Sequence, residues 1–200
     1  MLKKGIFGGT FDPIHNGHLN IAYEALYALK LDKVYFMPTG KPPHKNVQGV
    51  TSSILRYEMV KMAIRSEEKF EVCDYEINKK NESYTYETVF YFKKNEKETE
   101  WYFITGADCL FTLEQWKNIK SIFTNCKLVV FERKGYNKKE ILEQKRYIEN
   151  KYNTDIILLK APVLEISSTD IRESIKLGKK VDFLMPTGVY NTILNFKLYK

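Results

Sequence analysis

The chain of 200 residues predicts an α/β fold, a doubly wound and mostly parallel sheet with helices on both faces. Three observations carry that expectation. Short apolar runs alternate almost throughout with segments of helical character, the pattern of a sheet built from strand–helix units. Those runs are mostly apolar from end to end, as in strands covered on both sides. The first run also leads through glycines straight into an amphipathic segment, a strand–turn–helix order that suits an anion at the helix N-terminus.

Taken in order, the first strand is expected over Lys3–Phe7, with a glycine turn after it and a helix over Leu19–Lys30. Strands follow at Val34–Met37, Phe70–Ile77, Trp101–Thr105, Leu128–Phe131 and Ile156–Leu159. Between them lie helices at Ser53–Arg65, Tyr84–Lys93, Leu110–Phe123 (broken near Trp116) and Lys138–Asn150. Two short helices, Ser168–Leu177 and Gly188–Phe196, close the pattern, and two long irregular loops span Pro38–Gln48 and Lys160–Ile166. No repeat, low-complexity tract or linker divides the chain, so one domain over residues 1–200 is expected. Ligands of such sheets bind beyond the carboxyl ends of the strands, where the strand order reverses.

Composition narrows the partners. A net charge of +7 favours anions, but the lysines are scattered, so a solvated surface is expected rather than a nucleic-acid patch. Cys73, Cys109 and Cys126 are odd in number and far apart, which argues against a disulfide framework and fits a reducing cytosol. No stretch has the length of a membrane span, and Asp12 with two glycines interrupts the first apolar run too early for a signal peptide. A cytoplasmic protein without membrane or nucleic-acid partners is the expectation.

Five clusters fall at strand ends or in loops. Gly8-Gly9-Thr10-Phe11 leads to His15 and His18, two imidazoles placed to donate to phosphate as charge builds on it. A zinc pair, or a capping histidine beside a core histidine, is the plainer reading, but the cysteines offer no companion spacing for zinc, and no metal site is expected. Pro42-Pro43-His44-Lys45 sets two phosphate-seeking donors on a stiff loop, a pattern that a solvated basic loop matches equally well. Ser83-Tyr84-Thr85-Tyr86 opens a helix, with Ser83 as its N-cap or with the backbone donors near Thr85 and Tyr86 holding an anion. Gly106-Ala107-Asp108 follows a strand, where an acid accepts from ribose hydroxyls, and Trp116 beyond it is either core or a stacking face. Ile166-Ser167-Ser168-Thr169-Asp170-Ile171-Arg172 pairs a capping-box spacing with hydroxyls and a guanidinium fork for phosphate. The lysine-containing glycine loop of P-loop enzymes and the dinucleotide glycine fingerprint are both missing from the sequence.

These motifs resemble the nucleotidylyltransferase superfamily, with its T/HxGH signature at His15-Asn16-Gly17-His18 and its ISSTxxR-like signature at Ile166–Arg172. Nearest in pattern are the bacterial nicotinate mononucleotide adenylyltransferases, through the PPHK loop at Pro42–Lys45, SYT at Ser83–Thr85 and GxD at Gly106–Asp108. The likeness runs nearly end to end, Leu198-Tyr199 included. It implies a Rossmann-like sheet and transfer of the adenylyl group of ATP to nicotinate mononucleotide, with pyrophosphate released. It further implies His15, His18 and Arg172 as catalytic, and Gly8, Gly9, Thr10, Phe11, His18, Gly106, Asp108, Arg133, Ser168, Thr169 and Arg172 as the ATP site. His44, Lys45, Thr85, Tyr86 and Trp116 are implied to hold the mononucleotide. Mg2+ is implied as a companion of the ATP phosphates. A homo-oligomer is compatible with the sequence, which does not specify one.

Three other readings compete. A phosphopantetheine adenylyltransferase shares the two signatures, but Ser83–Thr85 and Trp116 suit a flat anionic ring better than a flexible thiol arm. An RNA-binding synthetase-like module is suggested by the likeness of HNGH to HIGH and by the basic charge, but no anticodon-binding region follows in the sequence. A non-catalytic nucleotide sensor is disfavoured by the presence of both histidines.

Overall fold

The structure, a computed structural model, describes residues 1–41, 49–131, 137–162 and 164–200. Its strands are β1 (Lys3–Gly9), β2 (Lys33–Pro38), β3 (Phe70–Val72), β4 (Glu100–Gly106), β5 (Lys127–Phe131) and β6 (Ile156–Leu159). They form one sheet in the order β3-β2-β1-β4-β5-β6, with each neighbouring pair parallel. The helices are α1 (Asn16–Ala28), α2 (Ser53–Ile64), α3 (Thr85–Asn95), α4 (Ala107–Thr112), α5 (Ile119–Asn125), α6 (Lys138–Tyr152), α7 (Ser168–Lys176) and α8 (Thr187–Asn195). The doubly wound class is as expected.

Alternation along each strand sorts the core into two layers. Phe7, Val34, Phe36, Ile104, Val129 and Leu159 face one side, where α1, α2, α7 and α8 cover them through Ala22, Met59, Ile171 and Val189. Ile6, Met37, Trp101, Phe103, Leu128 and Val130 face the other, under Val89 of α3, Leu110 of α4, Ile122 of α5 and Ile148 of α6. Both faces are apolar because both are covered.

Two expected boundaries move. β1 continues to Gly9, so Gly8 and Gly9 end the strand, paired with Met37 and Pro38, rather than forming a turn. A side chain at residue 9 would come within 2.9 Å of the Phe11 ring, which is why glycine stands there. β3 stops at Val72 instead of reaching Ile77. Beyond it the bonds Asn78 N–H to Asp74 O and Lys79 N–H to Glu76 O curl the chain into a turn and carry Glu76 inward. The break expected near Trp116 is present: α4 passes into a 3-10 turn, Leu113–Gln115, and α5 begins afresh at Ile119.

Candidate active site

The sheet order reverses between β1 and β4, and the site sits above that switch. Lys3 pairs with Glu100 and Phe7 with Ile104, so Gly9 stands level with Gly106. Two glycine-ended strands thus finish side by side, where a ligand can approach backbone closely.

Past Gly9 the chain runs through Thr10–Ile14 to His15, the N-cap of α1. The His15 and His18 rings stack with centroids 3.7 Å apart and planes 28° apart. His15 is buried and His18 half-buried. The His15 backbone N–H donates to Nδ1 of His18 at 3.3 Å. An accepting Nδ1 places the proton of neutral His18 on Nε2, so the ring presents a donor on its far side. Phe11 supports that ring edge-on, centroids 5.0 Å apart. The Phe11 ring itself is buried in the core, leaving its backbone as what a nucleotide can touch. Gly17 explains the glycine of the motif: a Cβ there would stand 3.0 Å from Nδ1 of His15.

α7 docks on the same loop. Ser167 caps it, accepting from the Asp170 N–H at 3.0 Å, which is the half of the capping box expected from the spacing. Ser168 Oγ donates to Pro13 O at 2.9 Å and Arg172 Nη1 to Asp12 O at 2.8 Å. Arg172 Nη2 reaches Thr169 Oγ1 at 3.3 Å. The structure therefore brings His15, His18, Ser168, Thr169 and Arg172 to one loop although 150 residues separate Ser168 from His18 in sequence. Arg172 also lines a cleft of about 370 Å³ with Lys176 and Lys200, so the region is cationic.

On the other face, α3 starts at Thr85 after Tyr84 in extended conformation. Ser83 is not the cap. Its hydroxyl turns inward onto Glu76 O at 3.4 Å, because Ser83 is buried and its N–H is held by Lys41 O. First-turn donors at Thr85 and Tyr86 have no acceptor within the helix, which is the arrangement suited to an anion. The Lys117 ammonium lies 4.3 Å from the centre of the Tyr84 ring and so joins this turn to the Trp116 segment. Trp116 is half-buried, its indole edge-on to Phe103 at 6.0 Å, which leaves part of the ring exposed for stacking. Asp108 lies in the first turn of α4, half-buried, directly beyond Gly106. A larger groove of about 560 Å³ lies between α3 and α5 and meets the candidate residues at Tyr86. His44, Lys45 and Arg133 lie outside the described residues. Among the described residues no group of three or more His, Cys, Asp and Glu side chains gathers to hold a metal ion.

Sequence reasoning missed four residues that shape the site. Arg56 is almost wholly buried and donates to Thr10 O (2.6 Å), Thr39 O (2.7 Å) and Thr51 O (2.9 Å), tying three loop segments together. Burial lowers its pKa, and Asp12 opposes that shift. Asp12, also buried, accepts from Tyr199 OH at 2.6 Å and from the Thr51 N–H at 3.3 Å. Glu76 accepts from Thr88 Oγ1 at 2.7 Å, and its pKa is pushed up chiefly by burial. Arg56 was discoverable: it falls on the same helical stripe as Met59, Val60 and Ile64, where a charge is out of place. Tyr199 carried no such signal.

Comparison with known proteins shows the family and the fold. The cytidylyltransferase-like family model matches residues 6–174. A Clostridium kluyveri protein named "Probable nicotinate-nucleotide adenylyltransferase" is 57% identical over 203 residues, covering 100% of both chains. One of the same name from Clostridium novyi is 54% identical over 200 residues, again covering 100% of each. Among solved structures, Plasmodium falciparum nicotinic acid mononucleotide adenylyltransferase complexed with NaAD superposes with a TM-score of 0.79 at 19% identity. That match covers 100% of this chain and 98% of the other, and it supports the fold.

Proposed function

This chain belongs to the cytidylyltransferase-like family and, within it, to the nicotinate-nucleotide adenylyltransferases, and from that premise we propose how its own residues carry the reaction. A phosphate oxygen of nicotinate mononucleotide attacks the α-phosphorus of ATP. One P–O bond forms there as the bond to the β-phosphate oxygen breaks, giving nicotinate adenine dinucleotide and pyrophosphate. The nucleophile is already an anion, so neither a general base nor a covalent enzyme intermediate is needed. Catalysis then comes from alignment and from donors aimed at the charge that shifts toward the leaving pyrophosphate.

One observation carries this assignment: the fixed stack of His15 on His18, with Nδ1 of His18 already occupied by a backbone donor. A ring so held meets a phosphate oxygen with Nε2–H and loses little freedom in doing so. In this reading Arg172, Ser168 and Thr169 join it on the phosphates, and the backbone at Gly8, Gly9, Thr10 and Phe11 lies along the nucleotide. Gly106 and Asp108 take the ribose. Thr85 and Tyr86 hold the nicotinate carboxylate and Trp116 stacks on the ring. His44, Lys45 and Arg133 keep the mononucleotide-phosphate and adenine roles that the resemblance gives them. The donors at the switch are imidazoles, hydroxyls and a guanidinium, a set suited to phosphate oxygens rather than to a bare cation. Magnesium, if carried on the triphosphate, would be held by phosphate oxygens and water and would neutralise phosphate charge, while these residues bind the remaining oxygens. We place the enzyme in the cytoplasm, a reading that the odd number and wide spacing of its cysteines support.

Pyrophosphate release from ATP, measured with a panel of acceptors, tests the assignment. Turnover is expected with nicotinate mononucleotide and not with phosphopantetheine. The amide, nicotinamide mononucleotide, is expected to be poorer by about 100-fold in kcat/KM, because a helix start offers donors and no acceptor for its NH₂. A ratio near one would move the carboxylate pocket away from Thr85 and Tyr86.

A further inference from the structure

We propose that Tyr199 is a positioning residue for adenylyl transfer, its hydroxyl fixing through Asp12 the loop that presents His15 and His18. The inference rests on the functional reading above and adds to it a residue remote from both imidazoles.

The loop is held in a conformation it would not choose alone. Phe11 takes φ +50°, in the left-handed region that L-residues avoid. Tyr199 itself sits at φ +63°, unusual for a bulky side chain. Such backbone persists only where surrounding contacts over-determine it. Here the contacts are on the page. Arg56 holds Thr10 O, Arg172 holds Asp12 O and Ser168 holds Pro13 O. The Asp12 carboxyl is held from two sides, by Tyr199 OH at 2.6 Å and by the Thr51 N–H at 3.3 Å.

Of these grips the Tyr199 bond is the shorter on a carboxyl group that is only 3% exposed, so water cannot readily replace it. Burial, followed by the bond to Asp12, raises the Tyr199 pKa, so the phenol remains a donor at any assay pH. Asp12 lies three residues before His15, whose N–H meets Nδ1 of His18 at 3.3 Å, near the long end for a hydrogen bond. A contact that long is sensitive to a shift of a few tenths of an ångström. Loosening Asp12 thus reaches the reacting donor through the loop backbone, from a tyrosine that borders the Arg172 cleft. A purely packing role for the ring is the competing account, since Tyr199 also borders the α1–α8 layer of the core.

Tyr199→Phe separates the two, because it keeps the ring and removes the hydroxyl. In the full chain, kcat is expected to fall about tenfold while KM for ATP and for nicotinate mononucleotide stays within about twofold. Asp12→Ala removes the acceptor of the same bond, so the double variant is expected to be little worse than Asp12→Ala alone. Unchanged kcat well below Tm, whatever happens to Tm, overturns the proposal and makes Tyr199 a packing residue. So do additive losses in the double variant. If Tyr199→Phe does not fold, Asp12→Ala alone, which removes the acceptor, carries the same kcat-against-KM expectation. Wild-type chain inactive with nicotinate mononucleotide would instead overturn the functional reading, and the proposal with it.

Discussion

At the scale of single residues, His18 shows how much chemistry depends on one neighbour's backbone. Its Nδ1 is satisfied by the His15 N–H and its ring is wedged between His15 and Phe11, so Nε2 is aimed before any ligand arrives. Removing one preorganised donor to developing charge costs about 10²–10³ in rate. His18→Ala is therefore expected to lose kcat by that factor with KM for both substrates little changed, as steady-state kinetics would report. An equal kcat in a folded variant would take His18 out of the mechanism. That both histidines lie together at a strand–helix junction was legible in their three-residue spacing, and His15 also serves the plainer role of buried N-cap to α1. The reason for Gly17 was not legible, since it depends on where the His15 ring lies.

Among the elements, the interrupted helix after β4 matters most for specificity. Phe111 to Ile119 could have continued α4 into α5; instead the 3-10 turn ends at Trp116 in extended backbone, and Asn118 takes φ +53°. That break leaves the indole half-buried at the margin of the core, edge-on to Phe103. Trp116→Ala should weaken nicotinate mononucleotide by roughly 1–3 kcal/mol, the worth of one stacked ring, and leave ATP nearly unaffected. Binding of each substrate measured calorimetrically would check it; equal weakening of both, or a lower Tm with intact affinities, would identify Trp116 as core. The break was legible from the sequence, whereas the N-cap of α3 was left open between Ser83 and an anion-holding start and proves to be Tyr84. Ser83 fits a cap by residue type, but burial turned its hydroxyl to Glu76 O, an interaction that no local pattern encodes.

For the molecule as a whole, layer order and strand order were within reach of sequence, because apolar runs and helical periods are local. What lay out of reach were the buried polar ties, which are decided by tertiary packing. Glu76 is one whose effect is global. Burial holds its carboxyl above the usual carboxylate range, and Thr88 and Lys79 offset this only in part. A pKa raised on folding contributes stability that is full below the unfolded value, about 4.3, and that fades as pH rises through the folded value. Glu76→Gln keeps an acceptor for Thr88 and carries no charge. It is expected to raise Tm at about pH 8 relative to wild type, with the gain shrinking toward about pH 4. A gain that does not vary with pH would point to packing. The ties on the histidine loop have another consequence, one of timing. All six strands precede residue 160, whereas Ser168, Arg172 and Tyr199 close over 155, 160 and 187 residues to reach Pro13 and Asp12. A chain growing from its N-terminus can pair its whole sheet before the residues that brace the loop have been synthesised. During synthesis, a paired sheet therefore precedes both the α7–α8 cover of one face and a competent site.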